Sequence, residues 1–221
     1  MLRLIDGMLG ADPNGRLVGA APHLYVLRTI DAVLCRRHAD LSADVAQALE
    51  RIAAAERGRH RDWPIDYGRY LGVLASVASV TAVRAGMLYR VTDPPTSPAI
   101  QVTRRNAGLL RGGLEEWLPD VEEDRLIFAT VVDGRAGSIC ASVRATDEAH
   151  AAGVETLPAY RRRGLAAQAV AAWAGAVLRM GATPLYGTTF DNLPSQGVAR
   201  RLGMQLVGSE FSVECAYVQD V

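Results

Sequence analysis

The spacing of apolar positions changes period several times along the chain, and each change marks an element. Residues 23–29 and 33–38 are rich in β-branched and aromatic side chains and flank Ile30-Asp31-Ala32. They read as a hairpin, with one continuous helix as the alternative. Ser42 then suits a helix cap. Val45, Leu49, Ile52 and Ala53 recur at three- and four-residue spacing behind it, so a helix is expected from Ala43 to about Glu56. A second helix is expected from near Asp66 to about Val77, and residues 86–91 read as a strand.

The run Asp93-Pro94-Pro95-Thr96-Ser97-Pro98 interrupts this pattern, because proline fits neither a helix interior nor a central strand. It divides the chain into an N-terminal accessory α+β region, 1–95, and a second domain, 96–221. Residues 100–102 read as a short strand, followed by a helix over about 105–117. Residues 127–132 and 136–143 flank Asp133-Gly134, the dipeptide suited to a tight primed turn, and predict a hairpin. A strand ending at Leu157 follows. The next helix carries Leu165, Ala169, Ala172, Trp173, Ala176, Val177 and Met180 on one face and stops at Gly181. Residues 184–189 form a further strand. Asn192 caps a short helix that tolerates Pro194 in its first turn and ends at Leu202-Gly203, and a final strand pair is expected over 205–217. Hairpin, strand, loop, helix, strand, helix and strand describe an α/β sheet.

Composition narrows the function more by exclusion than by suggestion. The 221 residues are 49% apolar, and 24 basic residues, all arginine, balance 24 acidic ones. Zero net charge gives no general attraction to nucleic acid or to an anionic membrane. No apolar run approaches the ~20 residues that span a bilayer, and the N-terminus lacks the apolar core of a signal peptide. Cys35, Cys140 and Cys215 are far apart in sequence, with no Cys/His cluster. Neither a metal nor a disulfide framework is expected, and a reducing cytoplasm fits. His23, His38 and His60 stand alone and read as surface or hydrogen-bonded residues.

The chemistry concentrates where the strand through Val154, Glu155, Thr156 and Leu157 stops at Pro158. The chain there turns through Arg161, Arg162, Arg163 and Gly164 into a helix beginning Leu165-Ala166. A helix N-terminus presents unpaired N–H groups and the positive end of its dipole. The arginines add donors suited to phosphate oxygens, and glycine lets a ligand approach the backbone. The residues therefore read as a pyrophosphate cradle. Asn192 and Ser195 supply short polar groups at the next strand-to-helix turn.

Taken together, Arg161-x-x-Gly164-x-Ala166 and Asn192-x-x-Ser195 with Leu202-Gly203-Met204 resemble the GNAT superfamily of acyl-CoA N-acyltransferases over about 127–213. The pattern is also similar to a bacterial subgroup with an extra N-terminal region. The resemblance implies a mixed, mostly antiparallel twisted sheet flanked by helices. It also implies transfer of an acetyl group from acetyl-CoA to an amine, by direct attack in a ternary complex. Backbone amides of Arg161 to Ala166 would take the pyrophosphate. Thr156 and Leu157 would pair with pantetheine and polarise the thioester, with Asn192 and Ser195 beside the arm. The acceptor would be a small-molecule or peptide amine, and a homodimer is compatible with the resemblance.

The catalytic groups follow less directly. Relatives often place a glutamate base on the strand before the loop; here His150 is the first candidate, because its unperturbed pKa lies near neutrality, and Glu155 the second. The tyrosine that protonates the leaving thiolate in many relatives is replaced by Ala199, which leaves Tyr186 or water. Cys140 reads as a core residue. Two rival readings remain: a non-catalytic CoA-binding sensor or interaction module, and a nucleotide phosphate site. The second lacks the glycine-rich patterns such ligands favour.

Overall fold

A computed structural model describes residues 2–56 and 66–216, so His60 and Tyr217 fall outside the described residues. Contacts divide the chain into two compact units. One is Met1–Leu88 with Thr189–Asp191 and Leu206–Val221, and the other is Tyr89–Thr188 with Asn192–Gln205. This division runs through sequence quite differently from a cut at the proline-rich linker, since the C-terminal strand returns to the first unit.

In the first unit α1 (Leu2–Leu9) precedes β1 (Leu24–Arg28) and β2 (Val33–Arg37). These strands form the expected antiparallel hairpin, with Leu27 opposite Leu34. In α2 (Ala43–Glu56) the stripe Val45, Leu49, Ile52 and Ala53 is buried. α3 (Tyr67–Ala75) starts at Asp66, whose carboxylate accepts from the Gly68 N–H at 3.1 Å. β3 (Ser79–Arg90) follows and is longer than the sequence pattern suggests. Leu24, Val26, Leu49, Tyr70, Leu74 and Phe211 lie at the centre of this unit's core. One strand, β9 (Gln205–Ala216), replaces the strand pair expected at the C-terminus. It runs antiparallel to β1 from Leu24↔Val213 to Arg28↔Ser209. Gly208 inside it makes no turn; a side chain there would strike the Arg28 carbonyl.

The second unit has the mixed, mostly antiparallel sheet with flanking helices. Its strands are β4 (Ile100–Val102), β5 (Ile127–Val132), β6 (Arg135–Ala145), β7 (Ala149–Thr156) and β8 (Thr183–Thr189), in the spatial order β8-β7-β6-β5-β4. The three pairs from β4 to β7 are antiparallel and β7–β8 is parallel. Asp133 and Gly134 both have positive φ, 50° and 76°, as a primed hairpin turn requires. α5 (Leu165–Arg179) covers one face with Ala169, Val170, Trp173 and Val177 over Phe128 and Cys140. α6 (Leu193–Arg201) joins the same cluster through Ala199.

The helix expected over 105–117 does not form. Short 3-10 turns at Ala107–Leu110 and Glu115–Trp117 lead into α4 (Leu118–Glu122). Gly112 and Gly113 break the run with φ of 103° and 130°, and the Glu115 carboxylate holds their N–H groups at 2.6 and 2.8 Å. Leu110, Leu114 and Val121 still reach the core, against Ile127, Ile139 and Ala141 on the sheet face opposite α5. Among the described residues no helix is long and apolar enough to cross a membrane.

Candidate functional site

A fork in the sheet creates the site. β7 pairs with β6 along its length, but with β8 only from Ala149↔Thr183 to Ala151↔Leu185. The Leu157 N–H donates to the Gly137 carbonyl on β6 at 3.1 Å. Donors alternate sides along a strand, so the N–H groups of Val154 and Thr156 point toward the edge that β8 leaves. Of the two residues expected to supply that edge, Thr156 lies on it. Leu157 does not: its amide is spent on β6, and its side chain packs on the opposite face.

The loop beyond β7 is held from below. Tyr160 and Leu165 pack over Gly137, where a side chain would come within 3.1 Å of both. The Thr130 hydroxyl donates to the Leu165 carbonyl at 3.0 Å. Arg162 and Gly164 take left-handed φ values of 59° and 79°, and no side chain caps the N-terminus of α5. Backbone of this kind turns amides into an anion-binding concavity, with the helix dipole behind them. Arg161, Arg162, Gly164, Leu165 and Ala166 line a cavity of about 720 Å³. Arg163 does not; its guanidinium lies 5.5 Å from the Tyr160 ring centre. Arg201 of α6 lines the cavity and was not singled out from sequence. Its Nη1 lies 2.9 Å from where a Gly164 side chain would begin. Among the described residues, none of these four arginines is in an ion pair.

At the fork's apex the cavity is lined by Val154, Glu155, Tyr186, Asn192 and Ser195. Asn192 caps α6, its Oδ1 accepting from the Ser195 N–H at 3.0 Å. The Tyr186 hydroxyl lies 2.7 Å from Ser195 Oγ. Burial pushes the Tyr186 pKa up to about 12, so the phenol keeps its proton at neutral pH.

His150 is not part of this constellation. Its side chain points to the α5 face and is 6% exposed, with Nδ1 2.7 Å from Ser142 Oγ, which also accepts from Trp173 Nε1 at 2.9 Å. Burial lowers its pKa. A side chain sealed beneath α5 cannot reach a substrate in the cavity, so the expectation that His150 is the base does not hold. Cys140 is fully buried in the α5 core, as a structural thiol would be. Glu155 has the opposite strand parity from His150 and lines the cavity. Its Oε2 accepts from Trp117 Nε1 at 2.6 Å. Its hydrogen-bonding contact with Glu116, and then the like charge, raises the Glu116 pKa. Trp117 was hidden from sequence reading by the helix assigned there. Among the described residues no three His, Cys, Asp or Glu side chains gather as a metal site would.

The profile of the family described as GNAT acetyltransferase matches residues 128–210, which hold the fork, the loop and both helices. No curated protein matches the chain. Among solved structures, a GCN5-related N-acetyltransferase-like protein of Streptococcus suis is 15% identical with a TM-score of 0.51, covering 97% of this chain and 98% of its own. A GCN5-related N-acetyltransferase of Sphaerobacter thermophilus is 14% identical, with a TM-score of 0.50 over 94% and 80%. A GNAT-family protein of Novosphingobium aromaticivorans is 16% identical, with a TM-score of 0.54 over 64% and 68%. At these identities the likeness is one of fold.

Proposed function

We propose that this chain, whose residues 128–210 match the GNAT acetyltransferase family, moves an acetyl group from acetyl-CoA to an amine by direct attack. The observation that carries the reading is one continuous cavity, with an arginine-rich, glycine-gated helix start at one end and an unpaired strand edge at the other. Gly164 is the fit test. A left-handed glycine leaves the loop backbone uncovered, and a Cβ would close that opening against Arg201.

In this reading the amides of residues 161–166 and the guanidiniums of Arg161, Arg162 and Arg201 take the diphosphate. The edge amides of Val154 and Thr156 take the pantetheine arm and the thioester oxygen, beside Asn192 and Ser195. Amides aimed at an oxygen that gains charge stabilise the tetrahedral transition state, and holding both reactants together supplies much of the remaining rate. Glu155 is positioned to accept the amine proton, and Trp117 fixes its carboxylate.

The second reading, a CoA-binding module without turnover, is favoured by Ala199, 1% exposed, where the resemblance places an acid. Calorimetric titration with CoA, followed by thiol release from acetyl-CoA against a broad amine panel, tests both readings. Binding with release supports the transferase and binding without release the module; no binding removes both.

A further inference from the structure

We propose that Ser195 donates a hydrogen bond to the sulfur that leaves in this reaction, and that Tyr186 is the positioning residue that turns the serine proton into the cavity. The inference rests on the acyl-CoA reading above and assigns it a leaving-group donor that the Ala199 position does not supply.

Three observations carry it. Tyr186 directly follows Leu185, the last β8 residue paired with β7, so the phenol stands where the fork opens. Tyr186 is 3% exposed and belongs to the same buried cluster as Ala199. A small residue on α6 and a phenol from β8 thus pack into one apolar cluster. One turn before Ala199 on the same helix face, Ser195 Oγ is 2.7 Å from the Tyr186 hydroxyl, and both line the cavity.

A serine hydroxyl has one proton to give and two lone pairs. Around the Tyr186 oxygen lie Ser195 Oγ and, at the longer distance of 3.4 Å, the Ser195 carbonyl. When the phenol donates to Oγ across the short distance, the serine proton is left to point elsewhere. Negative charge in the cavity favours that arrangement, and the N-terminus of α6 adds its dipole in the same sense.

The bookkeeping closes without a proton leaving the pair. The amine nitrogen bonds to the acetyl carbon and loses its proton to Glu155 and then to water. The C–S bond breaks with its electron pair on sulfur, and the thiolate takes a proton from water on release. Full transfer from the phenol would be uphill by roughly three pKa units relative to a thiol near 8.5, so Tyr186 acts by holding its proton.

Titration of the CoA thiol on the full chain, read by thiolate absorbance, tests the donor directly. Ser195→Ala should raise the bound thiol pKa by about one unit and lower kcat roughly 10- to 100-fold, with KM for acetyl-CoA within about twofold. Tyr186→Phe should shift both in the same direction by less, and Ser195→Thr should restore both. Thermal melts equal to wild type exclude a folding defect as the cause. A thiol pKa and kcat unchanged in Ser195→Ala overturn the inference while leaving the acyl-CoA reading in place. Failure of the unaltered chain to bind CoA removes the acyl-CoA reading, and this inference with it.

Discussion

Gly164→Ala separates the cost of a strained backbone from the cost of a blocked ligand. Gly164 has a φ of 79°, so an alanine there adopts a left-handed conformation. That costs about 1–2 kcal/mol, or roughly 2–8 °C in Tm for a chain of this length. The new Cβ also lies 2.9 Å from Arg201 Nη1. The end of an arginine can swing aside, so the collision adds little to the stability loss. It does fill the opening between loop and guanidinium. Losing one charge-assisted bond to a phosphate, about 1.5–3 kcal/mol, weakens CoA roughly 10- to 150-fold. Calorimetry with CoA should show that loss. Turnover of acetyl-pantetheine, which lacks the diphosphate, should move by less than about twofold once the protein is kept below its melting range. The double variant Gly164→Ala/Arg201→Ala relieves the collision but not the φ strain. An unchanged CoA affinity, or an equal loss with both donors, would refute the cradle.

Three further perturbations probe what surrounds it. His150 is held neutral by burial, with its pKa below the ordinary value, so the unfolded chain takes up the proton first as pH falls. Stability should drop below about pH 6.5, and His150→Gln should flatten part of the Tm–pH slope between pH 7.5 and 5.5. His23, lowered mainly by burial as well, leaves a remainder. An altered pH–rate profile in His150→Gln with unchanged Tm would return the residue to the mechanism. Glu155→Gln keeps an oxygen for Trp117 but removes the base, and should lower kcat roughly 10²- to 10⁴-fold with CoA affinity intact; undiminished turnover would exclude it. Gly153→Ala drives a methyl into Val143 and to 3.2 Å from the Trp117 ring. It should cost about 1–3 kcal/mol and shift tryptophan emission, whereas wild-type urea melts would show that the contact yields freely.

Local chemistry made part of this fold legible. Asp133-Gly134, the stripe on α5, and Asn192 before Pro194 each state their element within a few residues, because turn strain, periodicity and capping act over that range. Long-range pairing does not act over it. Nothing near Gln205 says that β9 lies against β1, and Arg201 approaches Gly164 only because the end of α6 comes close to the start of α5 in space. Over 105–117, the spacing of Leu110, Leu114 and Trp117 imitates a helix while Gly112-Gly113 argue against one; the glycines prevailed because both sit at φ values other residues avoid. For His150 and Glu155 the parity was visible and its meaning was not. The two had to face opposite sides of β7, but which of them α5 covers depends on long-range packing.

That parity explains how one strand can serve three purposes at the cavity. Even-numbered side chains of β7 from His150 to Val154 build the α5 core, Glu155 on the other face reaches Trp117, and alternate amides are left for the open edge. A slip of one residue would exchange all three sets at once. The cavity end is where slippage would matter most, because β8 no longer pairs there. The structure pins it: Ser138 Oγ donates to the Glu155 carbonyl at 2.8 Å and meets Thr156 Oγ1 at 2.7 Å, Leu157 is tied to Gly137, and Pro158 ends the ladder. These bonds all lie on the β6 side, so they fix the edge amides without occupying them. In the proposed reaction, the thioester oxygen is therefore met by donors whose aim is set from behind, and Ser138→Ala should loosen that aim while leaving every lining side chain in place.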